Sequence, residues 1–167
     1  MEVTINDTDL RHAAAEGADA FLRLVTESIK TQAGGELNAD TLARLNAQQT
    51  TLWAYSILHE EVMDGGFIQL IYNGYGPFFF RNPFAKVMRE WGLPELAKTV
   101  NKAKKLFQAN KDELTKERTD EEFMALFEQY PAFDTLDDEF VENEEETTEA
   151  VARYVDAHLT DFATVTH

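Results

Sequence analysis

Two adjacent glycines inside an apolar helical pattern constrain the fold of this chain more than any other feature. Gly65 and Gly66 lie in the stretch HEEVMDGGFIQLIYNGYG, residues 59–76. Because glycine adopts positive φ without a steric penalty, we expect the pair to end one helix and to let the next begin at a sharp angle. Turn dipeptides at 73–74 and 76–77 limit that second helix to about two turns. It should bury the apolar residues that follow at helical spacing: Phe67, Leu70 and Ile71.

Apolar residues recur at every third or fourth position along most of the chain, which is the pattern of amphipathic helices. We expect a first helix over residues 9–31. A second helix should start at Asn38 or Asp40, either of which can cap it, and should run to the glycine pair. These two helices form the approach to the glycine stretch.

The C-terminal third continues the helical pattern. Thr119 and Glu122 have the spacing of a capping box, and a last pattern covers residues 136–158. No segment shows strand alternation of convincing length. The sequence therefore predicts an all-α fold, a single compact domain of six or seven helices. We distinguish a helical approach region 1–64, a Gly-Gly-Phe core motif 61–76 and acidic C-terminal helices 112–162.

Length and composition bound the class of protein. A chain of 167 residues fits one domain with one core. Hydrophobic residues make up 44% of it, enough to offset the entropy of ordering, so disorder is not expected. No run of eighteen apolar residues and no signal-peptide pattern occurs, so we expect a cytoplasmic protein that does not contact membranes. The absence of cysteine excludes disulfides, thiolate zinc sites and a cysteine nucleophile.

The net charge of −16 is distributed unevenly along the chain. It is −7 over residues 1–80, +6 over residues 81–111 and −15 over residues 112–167. Because phosphate binding needs a basic footprint, this distribution disfavours nucleic acid as the main ligand and favours a basic protein as partner. The positive segment contains one helical stripe of lysines: Lys98, Lys102 and Lys105.

Patterns typical of catalysis and metal binding are absent from the sequence. No H-E-x-x-H occurs among the few histidines, which are His12, His59, His158 and His167. The only serines, Ser28 and Ser56, lie in helical patterns without a nucleophile elbow. Neither a P-loop nor a complete dinucleotide fingerprint is present. We therefore expect no enzymatic activity, no cofactor and no metal.

A concentration of carboxylates in the last helical pattern is the strongest functional signal. Four of them have the spacing i, i+3, i+4 and i+7 of one helix face: Glu142, Glu145, Glu146 and Glu149. A solvated acidic face that aids solubility is the simpler interpretation.

Three observations favour a further use of these acids, beyond solubility. The acids concentrate in one third of the chain, they lie on helices with apolar faces that fix them, and the lysine stripe is not interleaved with them. Like charges at i, i+4 also destabilise a helix by about 0.2–0.5 kcal/mol per pair, so their retention indicates a use beyond folding.

The glycine stretch resembles the signature of a bacterial family, E-x-x-N-G-G-F-x-Q followed by N-x-x-G. The matching residues are Glu61, Gly65, Gly66, Phe67, Gln69 and Asn73. Asp64 stands where the family usually has Asn. The family's namesake is DNA mimic protein nineteen, and the resemblance covers about residues 50–160. It implies a homodimeric DNA mimic that sequesters a helix-turn-helix transcription regulator.

We therefore predict that this chain is a DNA mimic, in which rigid carboxylates occupy the positions of phosphates on the basic DNA-binding face of a bacterial transcription regulator. The acids predicted to contact the partner are Glu121, Glu122, Glu128, Asp137, Asp138, Glu139, Glu142, Glu145, Glu146, Glu149 and Asp156. The residues of the glycine signature are expected to be structural, with Gly65 and Gly66 acting as a hinge rather than as a binding loop.

An adaptor or immunity-type scaffold is the alternative, an all-α protein that binds a partner through the aromatic turn at 72–80 while its acids only solvate it. Surface geometry discriminates between the two. A mimic needs contiguous rows of carboxylates, whereas an adaptor would scatter them and expose Tyr72, Tyr75 or Phe78 as a patch.

Overall fold

The computed structural model describes all residues, 1–167, and contains eleven helices and two short strands. The helices are α1 Asp7–Glu16, α2 Ala18–Ala33, α3 Ala39–Arg44, α4 Ala47–Tyr72, α5 Gly76–Phe80, α6 Phe84–Glu90, α7 Pro94–Thr115, α8 Asp120–Gln129, α9 Ala132–Glu142, α10 Glu144–Ala157 and α11 Leu159–Phe162. The strands are β1 Thr4–Asn6 and β2 Thr164–Thr166. The all-α prediction is confirmed. The predicted number of six or seven helices is wrong, since there are eleven.

The helix over residues 9–31 is in fact two helices, which accounts for part of the difference. Gly17 has φ 132° and ψ 179°, a positive-φ conformation that favours glycine, and it ends α1 and precedes α2. The apolar periodicity continues through this corner, so the pattern gave no sign of it. The next predicted helix is also divided. Asn38 caps α3 in a reciprocal capping box with Thr41, and Leu45 then takes an extended conformation before α4 begins.

The pattern over residues 136–158 is divided as well. Asn143 leaves the helical region with φ −99° and ψ 6°, and its side-chain Nδ2 donates to the Glu139 carbonyl at 2.8 Å. The same carbonyl in the last turn of α9 also accepts the Asn143 backbone N–H at 3.3 Å, so Asn143 ends the helix through both its side chain and its backbone. Helix α10 then starts at Glu144.

The chain forms two compact units, residues 57–144 and residues 1–56 with 145–167. The single-domain organisation stays a prediction. In the unit that holds both chain ends, β1 and β2 pair in parallel, with Ile5 opposite Val165. The buried Gln49 side chain donates to the carbonyl oxygens of Met1 and Phe162, at 2.8 and 3.0 Å, and so joins the two ends.

Helix α10 is fixed in this unit by one apolar face and two polar contacts. Val151, Ala152 and Val155 are buried. The hydroxyl groups of Tyr55 and Thr148 are hydrogen-bonded at 3.1 Å. Tyr154 accepts a hydrogen bond from the Gln48 amide at 2.7 Å. These contacts set the rotation of α10 about its axis, and therefore decide which of its carboxylates face outward.

An aromatic core holds the unit of residues 57–144 together. Phe67, Phe79 and Phe133 are at most 2% exposed. The rings of Phe79 and Phe84 pack edge to face at 5.1 Å between centroids, and those of Phe80 and Phe107 pack tilted at the same distance. The predicted burial of Phe67, Leu70 and Ile71 is confirmed. This core supports α7, α8 and α9.

None of the eleven helices combines the length and the apolar composition needed to cross a lipid bilayer.

Candidate partner-binding surface

The glycine pair forms the predicted kink within α4. Gly66 has φ 75° and ψ −177°, a conformation that is essentially restricted to glycine. A Cβ atom at this position would lie 2.3 Å from Oδ2 of Asp137. The same carboxylate accepts a hydrogen bond from the Phe67 backbone N–H through Oδ1 at 2.9 Å. Asp137 therefore caps the second arm of α4, and glycine is required at 66 both for the backbone conformation and for the close approach of this carboxylate.

Side chains of the family signature hold the two arms of the kink together. Gln69 Nε2 donates to Glu61 at 3.0 Å and to Asp64 at 2.9 Å. Asn73 Nδ2 donates to the same Glu61 oxygen at 2.9 Å. Carboxylates only accept hydrogen bonds, so they fix the orientation of both amides. A Cβ at Gly65 would lie 2.0 Å from Gln69 Oε1, which explains the first glycine.

The carboxyl group of Asp137 has a shifted pKa. Burial raises the pKa of the Asp137 carboxyl from 3.8 to about 6, helped by the neighbouring charges of Asp134 and Asp138, although the hydrogen bond from Phe67 N–H opposes the shift. Protonation of Asp137 therefore changes the charge of the group that caps the second arm of α4 at the kink.

Helix α9 directs two of its predicted partner-binding acids toward its own unit. Besides Asp137, the half-buried Glu139 accepts a hydrogen bond from the Thr99 hydroxyl at 3.0 Å and lies 3.8 Å from the ammonium group of Lys102. Only Asp138 and Glu142 of the α9 candidates are exposed. The lysine stripe, although it is not interleaved with the acids in the sequence, therefore reaches α9 through Lys102.

Helix α8 presents all three of its candidates to solvent. Glu121, Glu122 and Glu128 are exposed, while Leu126 is fully buried and fixes the opposite face. Thr119 accepts the backbone N–H of Glu122 at 3.2 Å, which confirms the predicted cap. The Glu122 carboxylate accepts in turn from the Thr119 hydroxyl at 3.2 Å. The acids of the first turn of α8 are also favoured by the positive end of the helix dipole.

Helix α10 carries four exposed candidates, Glu145, Glu146, Glu149 and Asp156. The predicted row that joined them to Glu142 is interrupted, because Glu142 ends α9 and Asn143 separates the two helices. Repulsion within the row is also weaker than predicted. Glu145 and Glu146 lie in the first turn of α10, where negative charge stabilises a helix, so like-charge repulsion applies mainly to Glu145 with Glu149.

The aromatic turn does not form the exposed patch that the adaptor alternative requires. Tyr72, Tyr75 and Phe78 are each only partly exposed. The Tyr72 hydroxyl donates to the Arg118 carbonyl at 3.0 Å, and its ring packs on Phe123 with centroids 4.7 Å apart. The large apolar residues that are exposed lie elsewhere and singly in the sequence: Met63, Met124 and Val141.

Comparison with known proteins tests the family resemblance inferred from the glycine stretch. The model of the DMP19-like protein family matches residues 43–158, which include the kink and the whole of α8, α9 and α10. The chain belongs to the DMP19-like protein family. A curated relative, the DNA mimic protein DMP19 of Neisseria meningitidis serogroup B, is 34% identical over 125 residues, covering 74% of this chain and 76% of the relative. The resemblance inferred from the glycine stretch is therefore confirmed.

The structure also shows what the sequence did not reveal about the candidate acids. Asp137 approaches Gly66 although the two residues are far apart in the chain. The only local signal of this approach in the sequence is the glycine itself, since a side chain at position 66 would collide with the carboxylate. Glu144 is directed inward too, with its carboxylate 2.6 Å from Nε2 of His59. No group of three or more His, Cys, Asp and Glu side chains is arranged to hold a metal ion.

Proposed function

We propose that this DMP19-like protein is a DNA mimic, whose exposed carboxylates on α8, α9 and α10 bind the basic DNA-binding face of a bacterial transcription regulator and block its binding to DNA. The name of the Neisseria relative, a DNA mimic protein, supports this function. The regulator is expected to be of the helix-turn-helix class, and the protein is expected to act in the cytoplasm as a homodimer.

The observation that carries the proposal is the scarcity of cations near the exposed candidate acids. Only Glu149 among them has a basic partner, Arg153, at 4.0 Å with both side chains largely exposed. Such an exposed pair is worth little and exchanges readily for another partner. The exposed candidates are Glu121, Glu122, Glu128, Asp138, Glu142, Glu145, Glu146, Glu149 and Asp156.

The length of α10 supports the idea that its acids imitate a phosphate backbone. From Glu145 to Asp156 the helix rises about 16 Å, at about 1.5 Å per residue. One strand of DNA presents a phosphate about every 3.4 Å along the axis, so this length corresponds to about five phosphates. The buried face of α10 holds the carboxylates in place, which lowers the entropy lost when basic side chains bind them.

Asp137 and Glu139 are left out of the proposed surface. Both carboxylates already make hydrogen bonds within residues 57–144, to the Phe67 N–H and to the Thr99 hydroxyl. A partner that recruited them would have to break contacts that hold α9 in place. The acids proposed to contact the regulator are therefore the nine exposed ones, those of α8 and α9 in the unit of residues 57–144 and those of α10 in the other unit.

Competition with DNA tests this function. The immobilised protein is used to capture its partner from the cytoplasm of its source organism at low salt, and the captured regulator is then bound to DNA carrying its own site. In a DNA-shift assay, added wild-type protein should release the DNA as its concentration rises. Complexes with the protein and with DNA should be mutually exclusive. A ternary complex of regulator, DNA and this protein would contradict the proposal.

Salt dependence gives a second check on the same complex. Exposed charges are screened over about 8 Å at physiological ionic strength. If carboxylates replace phosphates, the association rate constant should fall steeply as salt rises. A complex that forms equally fast at low and high salt would not depend on these acids.

A further inference from the structure

A small groove in the unit of residues 57–144 collects positive charge in a protein that is otherwise strongly acidic. It has a volume of about 170 Å³ and lies beside α5, α6 and α7. Lys86 and Arg89 reach it from α6, and Lys104 reaches it from α7. No Asp or Glu lines it, although the chain contains 31 acids and 15 lysines and arginines.

The three cationic side chains of this groove make no polar contact with other parts of the protein. Lys86, Arg89 and Lys104 form no ion pair and no hydrogen bond. Lys104 is half-buried, whereas Lys86 and Arg89 are exposed. Three like charges around so small a volume repel one another unless an anion lies between them.

Two side-chain amides add neutral donors to the groove. Asn101 is half-buried and makes no hydrogen bond, and Asn82 uses one N–H on the Phe78 carbonyl at 2.6 Å, which leaves its second N–H free. The arginine, the two lysines and the amides together offer many more donors than one carboxylate can accept. A dianionic phosphate has the charge and the number of acceptor oxygens to match them.

The volume and the apolar lining of the groove limit the size and polarity of any group attached to the phosphate. Its floor is formed by the buried side chains of Phe79, Phe80 and Val100, and Pro83 and Ala85 provide a small apolar wall. Sites for drug-sized ligands enclose about 300–1,000 Å³, so this groove is too small for the base, sugar and phosphate of a nucleotide. A phosphate with a small apolar substituent fits these limits.

We propose that this groove, formed by Lys86, Arg89 and Lys104 with the amides of Asn82 and Asn101, binds a small phosphate ligand, either the free ion or a monoester. Arg89 supplies a planar fork of donors for two phosphate oxygens. The two lysines balance the second negative charge. This site does not depend on the acidic surface of α8, α9 and α10 or on the proposed DNA mimicry.

Titration of the full chain with inorganic phosphate and, separately, with phenyl phosphate tests the site. Isothermal calorimetry in about 150 mM NaCl should give saturable binding of one ligand per chain with Kd below about 1 mM. In ¹H–¹⁵N spectra the side-chain amide signals of Asn82 and Asn101 should shift with the same Kd. Tighter binding of phenyl phosphate would identify a monoester as the preferred ligand, and equal binding would identify the free ion.

A matched pair of triple variants separates this groove from the general effect of charge. Lys86→Gln, Arg89→Gln and Lys104→Gln together should weaken binding at least about tenfold, the loss of charge-assisted contacts. The control replaces three lysines that are exposed and lie outside the groove, Lys105→Gln, Lys111→Gln and Lys116→Gln. Both variants remove three positive charges, and the control should bind within about twofold of wild type.

Two results would overturn the site. One is the absence of saturable binding to the wild type. The other is equal loss of binding in the two triple variants, which would show that net charge alone attracts phosphate. Should the groove variant fail to fold by circular dichroism, the amide signals of wild-type Asn82 and Asn101 decide the question, since shifts spread over the whole chain would also exclude a site here.

Discussion

Helices α9 and α10 are both rich in carboxylates, yet they use them differently. In α9 the half-buried Asp137 and Glu139 are hydrogen-bonded to Phe67 and Thr99. In α10 the candidate acids from Glu145 to Asp156 are all exposed, and buried apolar residues occupy the other face. The same residue types therefore stabilise the fold in α9, whereas in α10 they face solvent, apart from Glu144 at its first position, whose carboxylate lies 2.6 Å from Nε2 of His59.

The phase of each helix accounts for this difference. In α9, Asp137 and Glu139 flank the buried positions Leu136 and Phe140, so they lie at the edge of the apolar face and reach neighbouring elements. In α10 the positions next to the core are Thr148 and Tyr154, and uncharged hydrogen bonds satisfy them. Before the acids of a helical segment are assigned to a partner, those next to the buried face should therefore be separated from those on the solvent-facing side.

Disruption of the contact between Gly66 and Asp137 should give the largest effect. Gly66→Ala forces a Cβ to within 2.3 Å of Asp137 Oδ2 at a φ of 75°. Backbone strain alone costs about 1–3 kcal/mol, and the clash adds to it. Gly74→Ala is the control, because Gly74 has φ 89° but no atom lies within 4 Å of the position that the new methyl group would take. Urea denaturation should show a clearly larger loss of unfolding free energy for Gly66→Ala. Equal losses would show that Asp137 does not press against this glycine.

Loss of the Gln69 amide should have the next largest effect. Gln69→Ala removes the donor shared by Glu61 and Asp64, two contacts of 3.0 and 2.9 Å. Hydrogen bonds to charged groups contribute about 1.5–3 kcal/mol, and partial exposure places this loss near about 2 kcal/mol. Gln108→Ala, at an exposed position of α7, should change stability by less than about 0.5 kcal/mol. Similar unfolding free energies for the two variants would refute the role of Gln69.

The pH dependence of stability should report the burial of Asp137 on α9. Because the pKa of Asp137 is raised from 3.8 to about 6 in the folded protein, the folded state holds this proton more tightly than the unfolded state. The resulting stabilisation is complete below the unfolded pKa and is lost as the pH rises through the folded pKa. Asp137→Asn keeps an acceptor for Phe67 N–H but does not titrate. Its unfolding free energy relative to wild type should rise between pH 4 and pH 6 and then level off.

Glu149→Gln on α10 is the control for the loss of one negative charge. This exposed carboxylate has only the 4.0 Å contact with Arg153, so at pH 7 the unfolding free energy of the variant should lie within about 0.5 kcal/mol of wild type. A flat difference for Asp137→Asn, or a fall in the same range, would mean that burial does not govern the titration of Asp137.

The sequence predicted what depends on local pattern. Gly66 could be recognised as a kink because the glycine pair interrupts an apolar helix, and Thr119 as a cap because the box spans three residues. The approach of Asp137 to Gly66 could not be predicted, since no local rule relates residues so far apart. The break at Asn143 was missed because the apolar periodicity continues across it, although asparagine often ends helices. Because of that break, Glu142 lies on α9 and does not continue the row of acids on α10.

The central claim, that the outward acids of α10 replace phosphates, is tested most directly by association kinetics with the captured regulator. One variant neutralises the row with Glu145→Gln, Glu146→Gln, Glu149→Gln and Asp156→Asn. The control removes the same charge from exposed acids near the N-terminus with Glu2→Gln, Asp9→Asn, Glu36→Gln and Asp40→Asn. At low salt the row variant should associate at least about tenfold more slowly than wild type, the control by less than about threefold, and both should fold normally. Equal association rate constants for the two variants would show that the row on α10 is only a solvated face.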